Sequence, residues 1–261
     1  IIMGKGLLTT LKNKPTTSIT LCFVFYLVLS LILSPIRSTN ELHYLSVTWQ
    51  MYVSHNYLVP MQSFVPYAQK PPLLFWLIIG IWHLFGVGTA GPRIALSLFA
   101  LASILLTGRM AAKLFPEKKA IALIASTVLL TSAAWFYDMA AIRFDIPMCF
   151  FTLAIMYSLL RRFMQSKCHT AHSWALVIAP ALATLTKGPV FFVFILPFLL
   201  LCFLTFKDNH SKRQTKIALV SLALLLLSLC FSLAWVIPAC IAGGKEYTDM
   251  YIMGIGTNIL G

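Results

Sequence analysis

Acidic residues are scarce in this chain. Only 7 Asp and Glu occur in 261 residues, and charged residues of both signs make up 10%. Soluble domains carry roughly a quarter charged residues, so the shortage excludes a soluble globular protein. The chain also lacks the polar composition of a disordered protein. Its six cysteines, Cys22, Cys149, Cys168, Cys202, Cys230 and Cys240, include no CxxC pair and fall mostly in apolar runs. They read as small core residues rather than metal ligands or disulfide partners, which excludes a disulfide-stapled secreted domain. No basic stripe is interleaved with aromatic residues, so nucleic acid is not an expected partner despite the net charge of +13. What the chain has is apolar residues, at 59% with a mean hydropathy of +0.87. At roughly 20 residues per spanning helix plus loops, the length accommodates about seven or eight crossings. The fold class expected is an all-α polytopic integral membrane protein.

Apolar runs cover residues 18–35, 73–85, 92–115, 120–137, 146–163, 173–186, 190–206 and 217–241. The first is preceded by Lys5, Lys12 and Lys14 and followed by no small-x-small cleavage site, so it reads as an uncleaved span with a cytoplasmic N-terminus. The run 73–85 is short for a crossing and suits an interfacial or re-entrant helix. If it does not cross, one side collects Lys5, Lys12, Lys14, Arg109, Lys113, Lys118, Lys119, Arg161, Arg162, Lys167, Lys207, Lys212, Arg213 and Lys216, which is 14 of the 20 basic residues. Arg37, Lys70, Arg93, Arg143, Lys187 and Lys245 fall on the other side. If the run crosses, that bias collapses. The positive-inside rule therefore predicts about seven transmembrane helices and one non-crossing apolar helix. The same parity puts Glu41, Asp138, Asp145, Glu246 and Asp249 outside, leaving Glu117 and Asp208 inside. The chain then reads as a single transmembrane domain over 1–261, with a first outer loop at 36–72 and a second at 138–146. Ile1-Ile2-Met3 is an unusual start, and the sequence reads as the N-terminal part of a longer protein.

Four outer elements concentrate chemistry. Asn40-Glu41-Leu42-His43-Tyr44 opens the first loop, and the apolar spacing over 41–52 predicts a surface-lying amphipathic helix with Asn40 as its N-cap. Pro66-Tyr67-Ala68-Gln69-Lys70-Pro71-Pro72 pins Lys70 beside a helix N-terminus, where both attract an anion such as phosphate. Asp138 to Pro147 holds Asp138, Arg143 and Asp145 close to hydrocarbon, where ionisable groups tend to be paired or functional. Thr186-Lys187-Gly188-Pro189 ends a span on a lysine. Cations at the mouth of an apolar bundle suit a lipid phosphate, and a neighbouring carboxylate suits deprotonation of a hydroxyl. These residues point to an enzyme acting on a polyprenyl-phosphate-linked substrate. A transporter or flippase for an anionic lipid-linked sugar would use similar groups. However, polar residues do not recur at mid-span, where a transporter site lies, and no inverted repeat is visible.

The motifs also carry a family resemblance. Asn40-Glu41-Leu42-His43-Tyr44, Tyr67-Ala68-Gln69-Lys70-Pro71-Pro72-Leu73 with Trp76, Phe85-Gly86 and Arg93 resemble the opening of a family of membrane glycosyltransferases. That family comprises the lipid A aminoarabinose transferase and the protein O-mannosyltransferases, of the C-type superfamily. Arg143-Phe144-Asp145, Thr186-Lys187-Gly188-Pro189 and Ala234-Trp235-Val236-Ile237-Pro238 continue the match. The resemblance implies a multi-pass protein of the bacterial inner membrane with a periplasmic site. It also implies transfer of a sugar, with inversion, from a polyprenyl-phosphate donor to a lipid A, protein or glycan acceptor. Lys70 and Tyr67 match carrier-phosphate contacts, and Tyr44, Arg143 and Lys187 join them as candidate substrate contacts. His43 stands where the aminoarabinose transferase has arginine, so its hold on phosphate would depend on protonation. Gln69 replaces a glutamate associated with a metal; an amide is a poorer ligand, so no metal ligand is assigned, and a divalent cofactor stays open. Asn40 replaces the first acid of the family's Asp-Glu pair, and an amide cannot take up a proton near neutral pH. Glu41 could serve instead, or Asp145, or the copy could be an inactive fragment.

Overall fold

The computed structural model describes residues 15–33, 39–118, 120–139, 141–164, 170–206 and 211–260. Lys5, Lys12, Lys14, Arg37, Lys119, Lys167, Cys168, Lys207 and Asp208, used above, lie outside the described residues. Among the described residues the regular structure is helical apart from one hairpin of two-residue strands. Its helices are α1 (Pro15–Leu33), α2 (Thr39–Ser54), α3 (Leu73–Phe85), α4 (Ala90–Leu114), α5 (Ile121–Thr131), α6 (Ala133–Asp138), α7 (Asp145–Met164), α8 (Thr170–Lys187), α9 (Phe192–Thr205) and α10 (Ser211–Leu260). The hairpin pairs β1 (Met61–Gln62) with β2 (Val65–Pro66), antiparallel.

Among the described residues, Ala90–Leu114, Asp145–Met164 and Gln214–Met253 contain helix long and apolar enough to cross a membrane. Thr17–Leu29, Leu73–Phe85, Ile121–Thr131, Trp174–Lys187 and Pro189–Thr205 are shorter apolar helices. Apolar side chains face outward along them, with Phe25, Val128, Leu201 and Ile241 all more than half exposed. In water this would be costly; in a bilayer such a surface meets its own solvent.

Three departures from the sequence pattern have local causes. The apolar run 120–137 is two helices, because Ser132 adopts an extended conformation and its hydroxyl accepts the Trp135 N–H, starting α6 afresh. The described helix of the first loop spans Thr39–Ser54, so Asn40 is already inside it rather than its N-cap. In α10, Gly244 adopts φ 71°, which an L side chain rarely tolerates, and turns the chain after the long apolar segment.

The core has two main parts. One joins α7, α8, α9 and α10 through Phe151, Ile155, Leu159, Leu176, Ile195 and Leu225. The other joins α2, α3 and α4 to the α6–α7 connection through Val47, Met51, Phe75, Ile78, Leu96 and Phe144. At the edge of this second core, Trp76 Nε1 donates to the Tyr57 carbonyl (2.6 Å) and Trp235 Nε1 to the Leu58 carbonyl (3.0 Å). These bonds fasten the first loop to α3 and α10.

Candidate active site

Pro71 and Pro72 act as the sequence pattern requires. Helix α3 starts at Leu73, the Trp76 N–H bonds the Pro72 carbonyl (2.9 Å), and Lys70 is left just before the first turn. The opposite wall comes from α7 and α8, which pack side by side. Asp145 begins α7 and Lys187 ends α8, so each charge complements the dipole of its own helix. The two meet as an ion pair, Lys187 Nζ to Asp145 Oδ1 at 2.7 Å, open to solvent. Gly188, at φ 76°, closes α8 with its N–H on the Thr184 carbonyl (2.8 Å), and Pro189 turns the chain away.

Lys70 lies within the field of this pair. Burial holds its ammonium below the ordinary lysine range; the positive charge of Lys187 lowers it further, and Asp145 partly offsets both. Tyr44 is raised by burial first and by the Asp145 charge second, with Arg143 acting against them. Burial raises Tyr67 strongly, helped by Tyr44. These mutual influences place Lys70, Tyr44, Tyr67, Asp145, Arg143 and Lys187 in one neighbourhood. His43 completes it: its ring lies 5.1 Å from that of Tyr67 and 5.8 Å from that of Tyr44, edge to face, and its Nδ1 is 2.9 Å from Gln62 Nε2.

Phe144 fixes the directions of its neighbours. Its ring is buried against Tyr44 (4.8 Å) and Phe75 (5.5 Å). Arg143 then reaches back to Asp138, 3.2 Å from Nε to Oδ1 without hydrogen-bond alignment, while Asp145 reaches forward to Lys187. Of the two pairings open to Arg143, Asp138 is the one formed.

Glu41 is placed differently. It is fully buried, and Arg93 grips both its oxygens, Nε to Oε1 at 2.7 Å and Nη2 to Oε2 at 2.8 Å. The Ile142 N–H also reaches Oε1, at 3.4 Å. The pair thus ties α2 and α4 to the segment that carries Arg143 and Asp145. Asn40, its neighbour, is exposed. Among the described residues no three His, Cys, Asp or Glu side chains converge. With Glu41 committed to Arg93 and Gln69 neutral, these donors do not fit a divalent cation.

Next to these ionic groups lies an apolar cavity of 150 Å³ between α3, α4, α7 and α8. Leu73, Pro147 and Thr186 line its walls, each within three residues of Lys70, Asp145 or Lys187, and Leu77, Phe99, Phe151 and Leu182 continue it. An apolar cavity of roughly this size stays dry and accepts small apolar groups.

Sequence reasoning found the charged residues but not two of their contacts. Arg93 stands in the first turn of α4, where a cation opposes the helix dipole, and that misfit is the signal that it needs a carboxylate. The hairpin that brings Gln62 to His43 had no such signal, because Ser63-Phe64 is not a usual turn pair.

Comparison with known proteins agrees with this architecture. Two crystal structures of ArnT from Cupriavidus metallidurans are similar to the chain. For the apo state the TM-score is 0.70 at 19% identity; for the form bound to undecaprenyl phosphate it is 0.74 at 18%. Each match covers 92% of this chain, and 44% and 43% of the ArnT chains. An uncharacterized protein of Aquifex aeolicus (strain VF5) is 28% identical over 154 residues, 59% of this chain and 30% of that protein. The chain thus spans less than half the length of these relatives. The dolichyl-phosphate-mannose-protein mannosyltransferase family matches residues 69–235, from Gln69 beside Lys70 to the Trp235 that anchors the first loop. With nearly two-thirds of its length inside that match, the chain belongs to the dolichyl-phosphate-mannose-protein mannosyltransferase family and has an ArnT-like helical fold.

Proposed function

We propose that this protein transfers a sugar from a polyprenyl-phosphate carrier to a lipid, glycan or protein acceptor at the extracytoplasmic face of the bacterial inner membrane, with inversion. The observation that carries the reading is the pairing of an apolar cavity, lined by Leu73, Pro147 and Thr186, with the charged residues Lys70, Asp145 and Lys187 that lie within three positions of those lining residues. A lipid-linked phosphate needs this combination: cations for the phosphate oxygens and a dry slot for the first part of the prenyl chain. The likeness to an ArnT that binds undecaprenyl phosphate supports it.

In this scheme the acceptor hydroxyl attacks the anomeric carbon. The new C–O bond forms as the bond to the carrier phosphate breaks, and the phosphate leaves with the electron pair. Lys70 and Lys187 stabilise the charge that develops on it, the kind of interaction that lowers a barrier rather than merely binding. Asp145 takes the hydroxyl proton, released from Lys187 as that lysine turns to the phosphate. Tyr44, Tyr67, His43 and Arg143 line the approach. Glu41 is a positioning residue, because its carboxylate is dry and doubly held, and Asn40 orients the acceptor through its amide.

The test is a transfer assay on the purified protein in nanodiscs, with labelled polyprenyl-phosphate sugars and a membrane extract as acceptor. Release of free polyprenyl phosphate that depends on acceptor, and is lost in Lys70→Ala, is the expected result. Movement of the labelled lipid across the bilayer without release of free carrier would make the protein a flippase and overturn the proposal.

A further inference from the structure

A groove of 680 Å³ runs between the exposed face of α2 and the β1–β2 hairpin, outside the ion-pair cluster. Every residue lining it is uncharged. Trp49 forms one wall, half exposed, with its ring stacked on Tyr52 (5.9 Å, 26°) and set edgewise to Trp82 (6.2 Å). Phe64 forms the facing rim. It sits at the hairpin tip with φ 66°, after Ser63 at φ 50°, and is 89% exposed. A two-residue turn with both φ positive ordinarily uses Asn or Gly. A bulky aromatic residue there is strained, and strain held in place is a pointer to function. Between the two rings the groove presents Gln50, Asn56, Ser46 and Ser63. Asn56 spends its carbonyl oxygen on the Leu58 and Val59 N–H groups (3.2 Å each), so it offers the groove its amide NH₂.

This lining selects its ligand by chemistry. An anionic headgroup would find no cation. A purely apolar partner would bury Gln50, Asn56 and the serines without hydrogen bonds, at a cost for each. A neutral sugar satisfies both sets: its C–H faces lie on the aromatic rings and its hydroxyls exchange hydrogen bonds with the amides and hydroxyls. The elements that form the groove are also tied to the candidate active site. Ser46 lies one helical turn after His43, and the hairpin that carries Phe64 is joined to His43 through Gln62 (2.9 Å).

We propose that this groove binds the neutral carbohydrate part of the acceptor, the sugar units beyond the one whose hydroxyl attacks. The proposal rests on the transferase reading for the word acceptor, but its binding chemistry can be measured without it.

The experiment is saturation-transfer NMR on the protein in nanodiscs, without donor, using mannohexaose as a neutral probe and hexagalacturonate as an acidic one. Saturation of mannohexaose is expected, with none for hexagalacturonate. Trp49→Ala and Phe64→Gly should each weaken mannohexaose binding at least tenfold. Phe64→Gly relieves the turn, so it removes the ring without threatening the fold. No saturation of mannohexaose, equal saturation of the acidic probe, or binding unaffected by both substitutions would overturn the proposal. If free polyprenyl phosphate is released normally while mannohexaose fails to bind, the groove assignment falls and the transferase reading stands. If mannohexaose binds through Trp49 and Phe64 while no free carrier is released, the reverse holds.

Discussion

Two ion pairs lie at the same end of the bundle and are built from the same kinds of group, yet their surroundings are opposite. In Glu41–Arg93 the side chains are 0% and 2% exposed; in Asp145–Lys187 they are 51% and 28% exposed. The first pair is bidentate, dry and shared with the Ile142 backbone. The second is a single contact beside a cavity, with a third charge, Lys70, close enough to be perturbed by it. A carboxylate locked by two charge-assisted bonds cannot meet a substrate without breaking them, whereas one held by a single mobile lysine can. The difference is what the proposed mechanism uses when it gives Glu41 a positioning role and Asp145 a reacting one.

Removing one partner of each pair should break the symmetry most visibly. Arg93→Ala leaves the Glu41 carboxylate buried and uncompensated, a loss of about 3–5 kcal/mol for a buried pair. Unfolding followed by heating in detergent should register it as a large fall in Tm. The double substitution Arg93→Met with Glu41→Leu should recover much of that loss. Asp145→Asn removes only an exposed partner, so less than about 1 kcal/mol is expected in the same measurement.

Activity should rank the two sides the other way. Lys70→Ala should reduce kcat by about 10²–10³, the range for removing a donor that stabilises transition-state charge, with Tm barely moved. Steady-state kinetics with saturating donor checks this, and an unchanged kcat would remove Lys70 from the phosphate site.

A pH profile sharpens the same contrast. Burial and Lys187 disfavour the charged form of Lys70, so its proton is lost at lower pH than from an ordinary lysine. The basic limb of kcat/KM, which reports the free enzyme, should therefore fall below pH 10.5, the unperturbed lysine value. Lys187→Gln removes a like charge and should move that limb upward; Lys70→Arg should abolish it.

The smallest effect on activity is expected at the end of α8. Gly188 has open space around a would-be Cβ but a φ of +76°. Gly188→Ala should cost about 1–3 kcal/mol for holding an L side chain at φ 76° and ψ −164°, a region essentially reserved for glycine, and should disturb Lys187 without removing it. A modest rise in donor KM at nearly constant kcat is the expected result.

Much of this arrangement is legible in the sequence, for physical reasons. The boundaries of α3 were readable as 73–85 because two prolines start it and an apolar run with a glycine behind it ends it. The convergence of Lys70, Asp145 and Lys187 follows from helix direction: charges at opposite ends of antiparallel neighbours meet at one end of the bundle. Glu41 with Arg93 was not readable, since 52 residues separate them and no local pattern pairs them. Nor was the break at Ser132, because a serine inside an apolar run suits a continuous helix as well as a cap. The hairpin at 61–66 escaped for the plainest reason, that its turn residues are the wrong ones for its geometry.

The central claim is that Glu41 positions and Asp145 reacts. It is tested most directly by preparing Glu41→Gln and Asp145→Asn together and measuring Tm and sugar transfer on both. The account predicts that Asp145→Asn keeps its Tm while transfer falls by about 10²–10⁴, the contribution of general acid–base catalysis. Glu41→Gln should lose Tm first and activity only in proportion to the folded protein that remains. A Glu41→Gln protein that melts like the parent and yet transfers nothing would contradict the account and make the buried carboxylate the base.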